Sequence, residues 1–248
     1  MEAKPFISVV SPVYEGEQLV NLLIGRTQTA LLQITDDFEI ILVDDGSSDN
    51  SVAVIEQIIQ QHKKIKCVVL DKNYGQHTAI KAGLDNCSGT WVVVMDCDLQ
   101  DQPEAIIELM KKAEEGFDAV FAARIKRNDP KIKQWYSTAF YAVLSFLSGI
   151  KTTGSTANFG IYNQKVIQQI CQASYYNFFF PVAVRKATKL TANCPVDHGV
   201  RAAGNTTYTF GKALNLAIKV IFSNTRLSFF QNKKPVNYGV KQFINFEK

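Results

Sequence analysis

Asp96 and Asp98 stand two residues apart, directly after the apolar run Trp91-Val92-Val93-Val94-Met95. In an extended chain that spacing sends both carboxylates to the same side. Like charges so placed repel and raise each other's pKa unless a cation lies between them. Hard oxygen ligands suit Mg²⁺ or Mn²⁺, ions that keep waters and bridge carboxylates to substrate phosphates. The expectation is a metal-phosphate site at the carboxyl end of a strand. Cys97, between the two acids, is expected to point away from them into the sheet, as a small buried filler.

Two other loops carry chemistry. Residues 12–17 read Pro-Val-Tyr-Glu-Gly-Glu, and residues 44–49 read Asp-Asp-Gly-Ser-Ser-Asp. Turn formation alone explains the second loop, since Asp, Gly and Ser are turn residues. It does not explain three such loops, each placed after a strand-like run.

The elements that must position them alternate. Strands are predicted over 6–10, 38–43, 65–70, 91–95 and 119–123. Helices are predicted over 18–32, 51–62, 77–86 and 103–115, the last with Pro103 in its first turn. That alternation argues for a mostly parallel sheet covered on both faces, with ligands bound beyond the carboxyl ends of its strands. Further on, helices are predicted over 133–147, 165–173 and 211–222, with an apolar break at Phe178-Phe179-Phe180-Pro181. The aromatics of these later helices either pack a core or lie on a membrane surface.

The chain has 248 residues, enough for one domain with a sizeable core, and five cysteines without C-x-x-C spacing. These read as reduced thiols, neither a disulfide framework nor a zinc site. No signal pattern and no apolar run of 18 or more residues is present, so no membrane span is expected. The net charge of +4 is unevenly spread: residues 1–130 carry a net −9 and residues 131–248 a net +13. Either this pattern gives each half a solvated charged surface, or the second half faces phosphates or an acidic membrane.

In order along the chain, Pro12-Val13-Tyr14, Val43-Asp44-Asp45-Gly46-Ser47-Ser48-Asp49, Asn73-Tyr74-Gly75 and Met95-Asp96-Cys97-Asp98-Leu99-Gln100-Asp101-Gln102-Pro103-Glu104 resemble inverting glycosyltransferases of family 2. Within that family the similarity is to the dolichol-phosphate mannose synthase-like and undecaprenyl-phosphate sugar transferase branch. A late segment, Arg201-x-x-Gly204-x-Thr206-x-Tyr208, adds to it, and the resemblance covers about residues 6–225.

The resemblance implies an α/β GT-A nucleotide-diphospho-sugar transferase fold, with basic, aromatic C-terminal helices. It implies one domain over 1–225, with a nucleotide-sugar half (1–130) and an acceptor half (131–225), followed by a C-terminal tail (226–248). Pro12 and Tyr14 would line the nucleobase. Asp45, with Asp44, would meet base or ribose, Asn73 and Asp96 would join the nucleotide site, and either Glu15 or Glu17 would reach the base. Asp96, Asp98 and Gln100 would handle Mg²⁺ or Mn²⁺ and the donor diphosphate. Arg124, Arg127 and Arg201 would meet phosphate of donor or acceptor, with Asp98, Arg124 and Arg201 carrying catalysis.

There are departures. The branch usually reads Tyr-Asn-Glu where this chain has Tyr14-Glu15-Gly16-Glu17, Ser-Lys-Tyr where it has Thr206-Thr207-Tyr208, and an acid-Phe pair where it has Asn158-Phe159. Many members also carry C-terminal transmembrane helices, and none is expected here. A peripheral position on the cytoplasmic face of the membrane follows, with a membrane partner protein or a homodimer left open and no role for nucleic acid.

Transfer to a sugar hydroxyl needs a general base. After Asp129 the only acids are Asp197 and Glu247. A phosphate monoester is already ionised near neutral pH and needs no such base. The sequence therefore favours a polyprenyl-phosphate acceptor over a saccharide hydroxyl, with UDP favoured over GDP as the donor nucleotide. Asp197 is the first alternative base. A sugar nucleotidyltransferase would open with a Gly-rich loop, and residues 12–17 hold only Gly16. A dehydrogenase would show G-x-G-x-x-G after a strand, and none occurs. A catalytically silent nucleotide-binding partner protein is the non-enzymatic alternative. His62, His77 and His198 show no ligand spacing.

Overall fold

A computed structural model describes residues 6–124, 156–175, 178–197 and 235–246. Its strands are β1 (Ile7–Val13), β2 (Phe38–Asp44), β3 (Ile65–Leu70), β4 (Trp91–Val94), β5 (Ala119–Arg124), β6 (Thr156–Asn163), β7 (Thr191–Val196) and β8 (Val240–Ile244). Its helices are α1 (Val20–Leu31), α2 (Ser51–Ile59), α3 (Gln76–Leu84), α4 (Ile106–Glu114), α5 (Gln164–Gln172) and α6 (Phe180–Ala187). A single 3₁₀ turn, Pro103–Ala105, leads into α4.

The strands form one sheet in the order β7-β5-β6-β4-β1-β2-β3-β8. Its centre, β4-β1-β2-β3, is parallel, and β5 and β7 pair in parallel. β6 runs antiparallel between β4 and β5, and β8 runs antiparallel along β3. The sheet is mostly parallel, as the sequence reading expects, with β6 and β8 as its antiparallel strands.

β2 shows how the sheet is covered. Ile40 and Leu42 join one buried cluster with α1, α2 and α4 residues such as Leu23, Ile55 and Leu109. Ile41 and Val43 join the other, with Ile80 of α3, Ile167 of α5 and Phe180 of α6. Strands buried on both faces read as continuous apolar runs, which is why these were legible.

Three corrections follow. The segment 240–244, placed in a C-terminal tail, is the edge strand β8. The apolar break at 178–181 is the start of α6, with Pro181 in its first turn, where a missing N–H costs no helical bond. β4 stops at Val94, one residue early, because the chain turns there instead of staying extended. The predicted helices 133–147 and 211–222 lie outside the described residues. All five cysteines are free. Among the described residues no helix is long and apolar enough to cross a membrane.

His77, in the first turn of α3, bears on stability. Its ring packs edge-on against Phe179 at 4.5 Å, and Nδ1 is buried with no hydrogen-bond partner among the described residues. Burial pushes its pKa down from 6.5 to about 4. Between those values the unfolded chain binds the proton and the folded chain does not, so this residue's contribution weakens as pH falls from about 6.5 to 4. Denaturant midpoints followed across that window should fall less steeply for His77→Phe than for the parent chain. Equal slopes would remove His77 from the account.

Candidate active site

Because β1, β2 and β4 are parallel, the loops that follow them emerge at one edge of the sheet. β6 runs the opposite way, so its first residues lie at that edge too, beside the end of β4. β5 also ends there, with Arg124.

The loop after β1 is laced to the loop after β2. The Glu15 N–H donates to Ser47 Oγ (3.0 Å), that of Gly16 to Ser51 Oγ (2.9 Å), and that of Glu17 to Asp49 Oδ2 (3.1 Å). Glu15 sits at φ 51°, a left-handed conformation that a non-glycine residue seldom takes. A Cβ on Gly16 would lie 2.8 Å from Val13 Cγ1, so the tight fold of this loop back on the end of β1 favours glycine there, while Cys97 Sγ would stand at an ordinary contact distance of 3.8 Å.

These contacts separate the two glutamates. Glu17 accepts both the backbone N–H (3.3 Å) and the side-chain amide (3.2 Å) of Asn50 at the start of α2. Glu15 is exposed, accepts the Ser48 hydroxyl at 3.1 Å and is hydrogen-bonded by the side chain of its neighbour Tyr14. Pro12 is buried within β1, beyond the point where β4 pairs with it. Tyr14 presents its ring to solvent, at 47% exposure.

Asp44 and Asp45 differ in the same way. Asp45, 3% exposed, accepts the Tyr74 N–H on Oδ1 (2.7 Å) and the Gly75 N–H on Oδ2 (2.8 Å). Burial pushes its carboxyl up, those two bonds pull it down, and the net shift is upward. Its visible work is to pin the loop 73–75, on which Asn73 is exposed. Asp44 Oδ1 accepts the Ser47 N–H at 3.0 Å, while its buried Oδ2 has no hydrogen-bond partner among the described residues. Gly46, at φ 70°, lies so close to the Lys72–Asn73 backbone that a Cβ there would stand 2.5 Å from the Lys72 carbonyl carbon. Only glycine satisfies both conditions.

Asp96 and Asp98 are delivered by a turn and not by continued strand. Leu99, at φ 58° and 2% exposure, anchors that turn in the core. Asp98 Oδ1 accepts the Gln100 N–H at 3.1 Å. Asp96 Oδ1 accepts the Gln76 side-chain amide at 2.7 Å, from the first residue of α3, and its carboxylate is also bonded by the Asn158 side chain at the start of β6. Burial, then Asp101, then Asp98 push the Asp96 carboxyl up to about 7. Cys97 packs towards the core cluster, as the sequence led us to expect.

A divalent cation fits this donor set. Its charge would relieve the crowding that raises Asp96, and the donors are hard oxygens. Among the described residues no three His, Cys, Asp or Glu side chains gather as a metal site. The remaining coordination positions would therefore fall to ligand oxygens and water, the usual habit of Mg²⁺.

Gln76 and Asn158 are the partners that sequence reasoning missed. The signal for Gln76 was its place after the Asn73-Tyr74-Gly75 loop; for Asn158 it was the departure from an acid at that position. Glu104, part of the motif, lies outside the site and forms a two-pronged pair with Arg26 of α1 (2.9 and 2.6 Å). Asp197, exposed just past β7, lies three strands from β4, roughly 14 Å away at the usual strand spacing. Its carboxyl does not join the Asp96–Asp98 turn. Arg127, Arg201 and His198 lie outside the described residues, and of Arg124 only the backbone is described.

Comparison with known proteins points one way. The family model for Glycosyl transferase family 2 matches residues 8–173. The undecaprenyl-phosphate 4-deoxy-4-formamido-L-arabinose transferase of Photorhabdus laumondii is 34% identical over 211 residues, covering 85% of this chain. The chain spans 65% of the length of that relative. Among solved structures, the glucosyl-3-phosphoglycerate synthase of Mycobacterium tuberculosis, in complex with Mn²⁺, UDP and phosphoglyceric acid, superposes with a TM-score of 0.64 at 18% identity. That match covers 88% of this chain and 77% of the synthase. The mannosyltransferase PcManGT of Pyrobaculum calidifontis, in complex with GDP-Man and Mn²⁺, superposes at 0.59 and 16%, covering 94% and 67%. The fold is that of GT-A glycosyltransferases.

Proposed function

The chain belongs to glycosyl transferase family 2, and from that membership we propose that it transfers a sugar, with inversion, from a nucleotide-diphospho-sugar to a polyprenyl phosphate. The carrying observation is the meeting at one sheet edge of Tyr14, the Asp45-pinned loop and the Asp96–Asp98 turn. The 34%-identical relative, named for undecaprenyl phosphate, supports the acceptor class.

In this reading Tyr14 stacks on the base, an arrangement its exposed ring allows. Glu15, the freer of the two glutamates, and Asn73 border the base, while Glu17 holds the start of α2. Asp45 shapes the nucleotide side through residues 73–75. Asp44 holds the turn that follows β2 through the Ser47 N–H. Asp96 and Asp98, with Gln100 beside them, hold Mg²⁺ or Mn²⁺. When bound, that ion neutralises charge on the departing nucleoside diphosphate. Asp96 is held in place for this by Gln76 and Asn158.

The acceptor phosphate is held by Arg124, Arg127 and Arg201 and attacks the anomeric carbon opposite the leaving group. No base is required, because the attacking oxygen is already ionised. The shortage of acids after Asp129 fits this, as does the distance of Asp197 from Asp96. A saccharide-hydroxyl acceptor would need a general base from the acceptor half, whose described acid, Asp197, follows a strand three places from β4.

The division into a nucleotide-sugar half (1–130) and an acceptor half (131–225) belongs to the same proposal. So does a peripheral position on the cytoplasmic face of the membrane, where the +13 half would meet anionic lipid, alone, as a homodimer or with a membrane partner.

A thermal-shift panel tests the donor side. UDP with Mn²⁺ should raise the unfolding temperature by mass action, more than UDP alone and more than GDP with Mn²⁺. No shift with any nucleoside diphosphate would refute nucleotide binding.

A further inference from the structure

The segment 235–246 carries none of the motifs that define the site, yet it is fastened to the outside of the nucleotide loop. β8 runs antiparallel along β3, with Leu70 opposite Val240. Where β3 ends, the Asp71 N–H donates to the Gly239 carbonyl (3.0 Å), and the Gly239 N–H donates to Tyr74 Oη (3.0 Å). One residue earlier, Tyr238 Oη donates to Asp85 Oδ2 at 2.7 Å, just past the end of α3. Asp85 also receives the Lys81 ammonium at 2.5 and 2.7 Å.

These bonds meet the inner ones at a single loop. Tyr74 gives its N–H inward to Asp45 and takes a bond outward, from Gly239, on its hydroxyl. Gly46 leaves room for the Lys72–Asn73 backbone on the inner side. α3 is consequently held at both ends: at its start by the Gly75 N–H on Asp45, and beyond its last turn by Tyr238 on Asp85. The first residue of α3 is Gln76, which holds Asp96. One strap thus braces both the base side and the metal side of the site.

We propose that residues 238–244 are a positioning element for nucleotide binding, with Tyr238 and Tyr74 as the positioning residues that transmit it. The proposal rests on the nucleotide reading above. None of these residues need touch the nucleotide. They restrict the loop and α3 to the arrangement that Asp45 and Asp96 require, so less ordering remains to be done when ligand binds.

The test uses the full chain with Tyr74→Phe and Tyr238→Phe, singly and together. Each variant removes one hydroxyl and keeps the ring, and Tyr74→Phe leaves the backbone bond to Asp45 intact. UDP with Mn²⁺ is titrated calorimetrically, and amide hydrogen exchange is followed over residues 71–76. Tyr74→Phe, which removes a neutral hydrogen bond, should weaken UDP binding roughly fivefold, Tyr238→Phe, which removes a bond to the Asp85 carboxylate, by at least as much, and each should speed exchange of the Tyr74 and Gly75 amides. UDP affinity and exchange both unchanged, whatever the unfolding temperature does, would reduce the strap to a purely structural role and overturn the proposal. If the parent chain binds no UDP, the nucleotide reading fails and the proposal with it. That outcome is recognised before any variant is compared.

Discussion

Asp98→Asn should leave the fold standing and remove transfer. Asp98 is half-buried, and the hydrogen bond that its Oδ1 accepts from the Gln100 N–H is one that an Asn carbonyl accepts equally well. What the substitution deletes is a negative charge beside Asp96. A divalent ion that Asp96 and Asp98 would hold would keep one carboxylate, and several kcal/mol of the leaving-group stabilisation it would supply would be lost with the other. At 1.36 kcal/mol per factor of ten, kcat/KM should fall by roughly 10³-fold. The unfolding temperature should barely move, and excess Mn²⁺ should recover part of the loss. Full Mn²⁺-dependent transfer by the variant would overturn the metal assignment.

The largest effect on stability is expected at the opposite edge of the sheet. Glu39, on β2, is 3% exposed and accepts four hydrogen bonds: from Ser8 Oγ (2.7 Å), the Ser88 N–H and Oγ (2.8 Å each) and the Lys66 ammonium (2.8 Å). Burial pushes its carboxyl up. The Lys66 ammonium, with Ser8 and Ser88, more than reverses that and holds it below the usual carboxylate range. Glu39→Ala would leave the buried Ser8 hydroxyl proton without its acceptor, reduce the Ser88 N–H to its longer bond with Ser8 Oγ (3.3 Å) and leave a cavity. Lys66 is half-exposed and can turn to water. The expected loss is about 3 kcal/mol, which at this chain length lowers the unfolding temperature by roughly 6–12 °C. The carboxylate's contribution is present above its ordinary pKa and disappears as pH falls through the lower, folded value. The difference between the two chains should therefore shrink in acid. An unchanged unfolding temperature would show that Ser8, Ser88 and Lys66 find other partners at no cost.

Much of the site was legible because buried strands announce themselves and the loops after them are chemically abrupt. Val92-Val93-Val94 followed by Asp96 and Asp98 needs no fold to be noticed. The roles within those loops were less legible. Asp45 reads as a ligand residue until its two oxygens are seen to hold Tyr74 and Gly75. Glu15 and Glu17 are equivalent as letters, and only the contacts to Ser48 and Asn50 tell them apart. Gln76 and Asn158 lie far from Asp96 in sequence, so no local pattern pairs them with it.

The later strands were hidden for a different reason. β7 contains Pro195 and lies at the sheet edge, where a missing N–H is tolerated. β6 carries Gly160, where a Cβ would stand 2.5 Å from the Val120 carbonyl oxygen. β8 reads Val-Lys-Gln-Phe-Ile, and only its pairing with β3 gives it strand identity. Tertiary partners, not local propensity, made these strands.

The claim that organises the rest concerns the acceptor. The purified chain is given a nucleotide sugar, Mn²⁺ and, in separate reactions, polyprenyl phosphate in detergent or a panel of soluble saccharides, and nucleoside diphosphate release is followed together with the lipid product. Release is expected only with polyprenyl phosphate, yielding a glycosyl phospholipid of inverted anomeric configuration. Glycosylation of a soluble saccharide with polyprenyl phosphate ignored would contradict it.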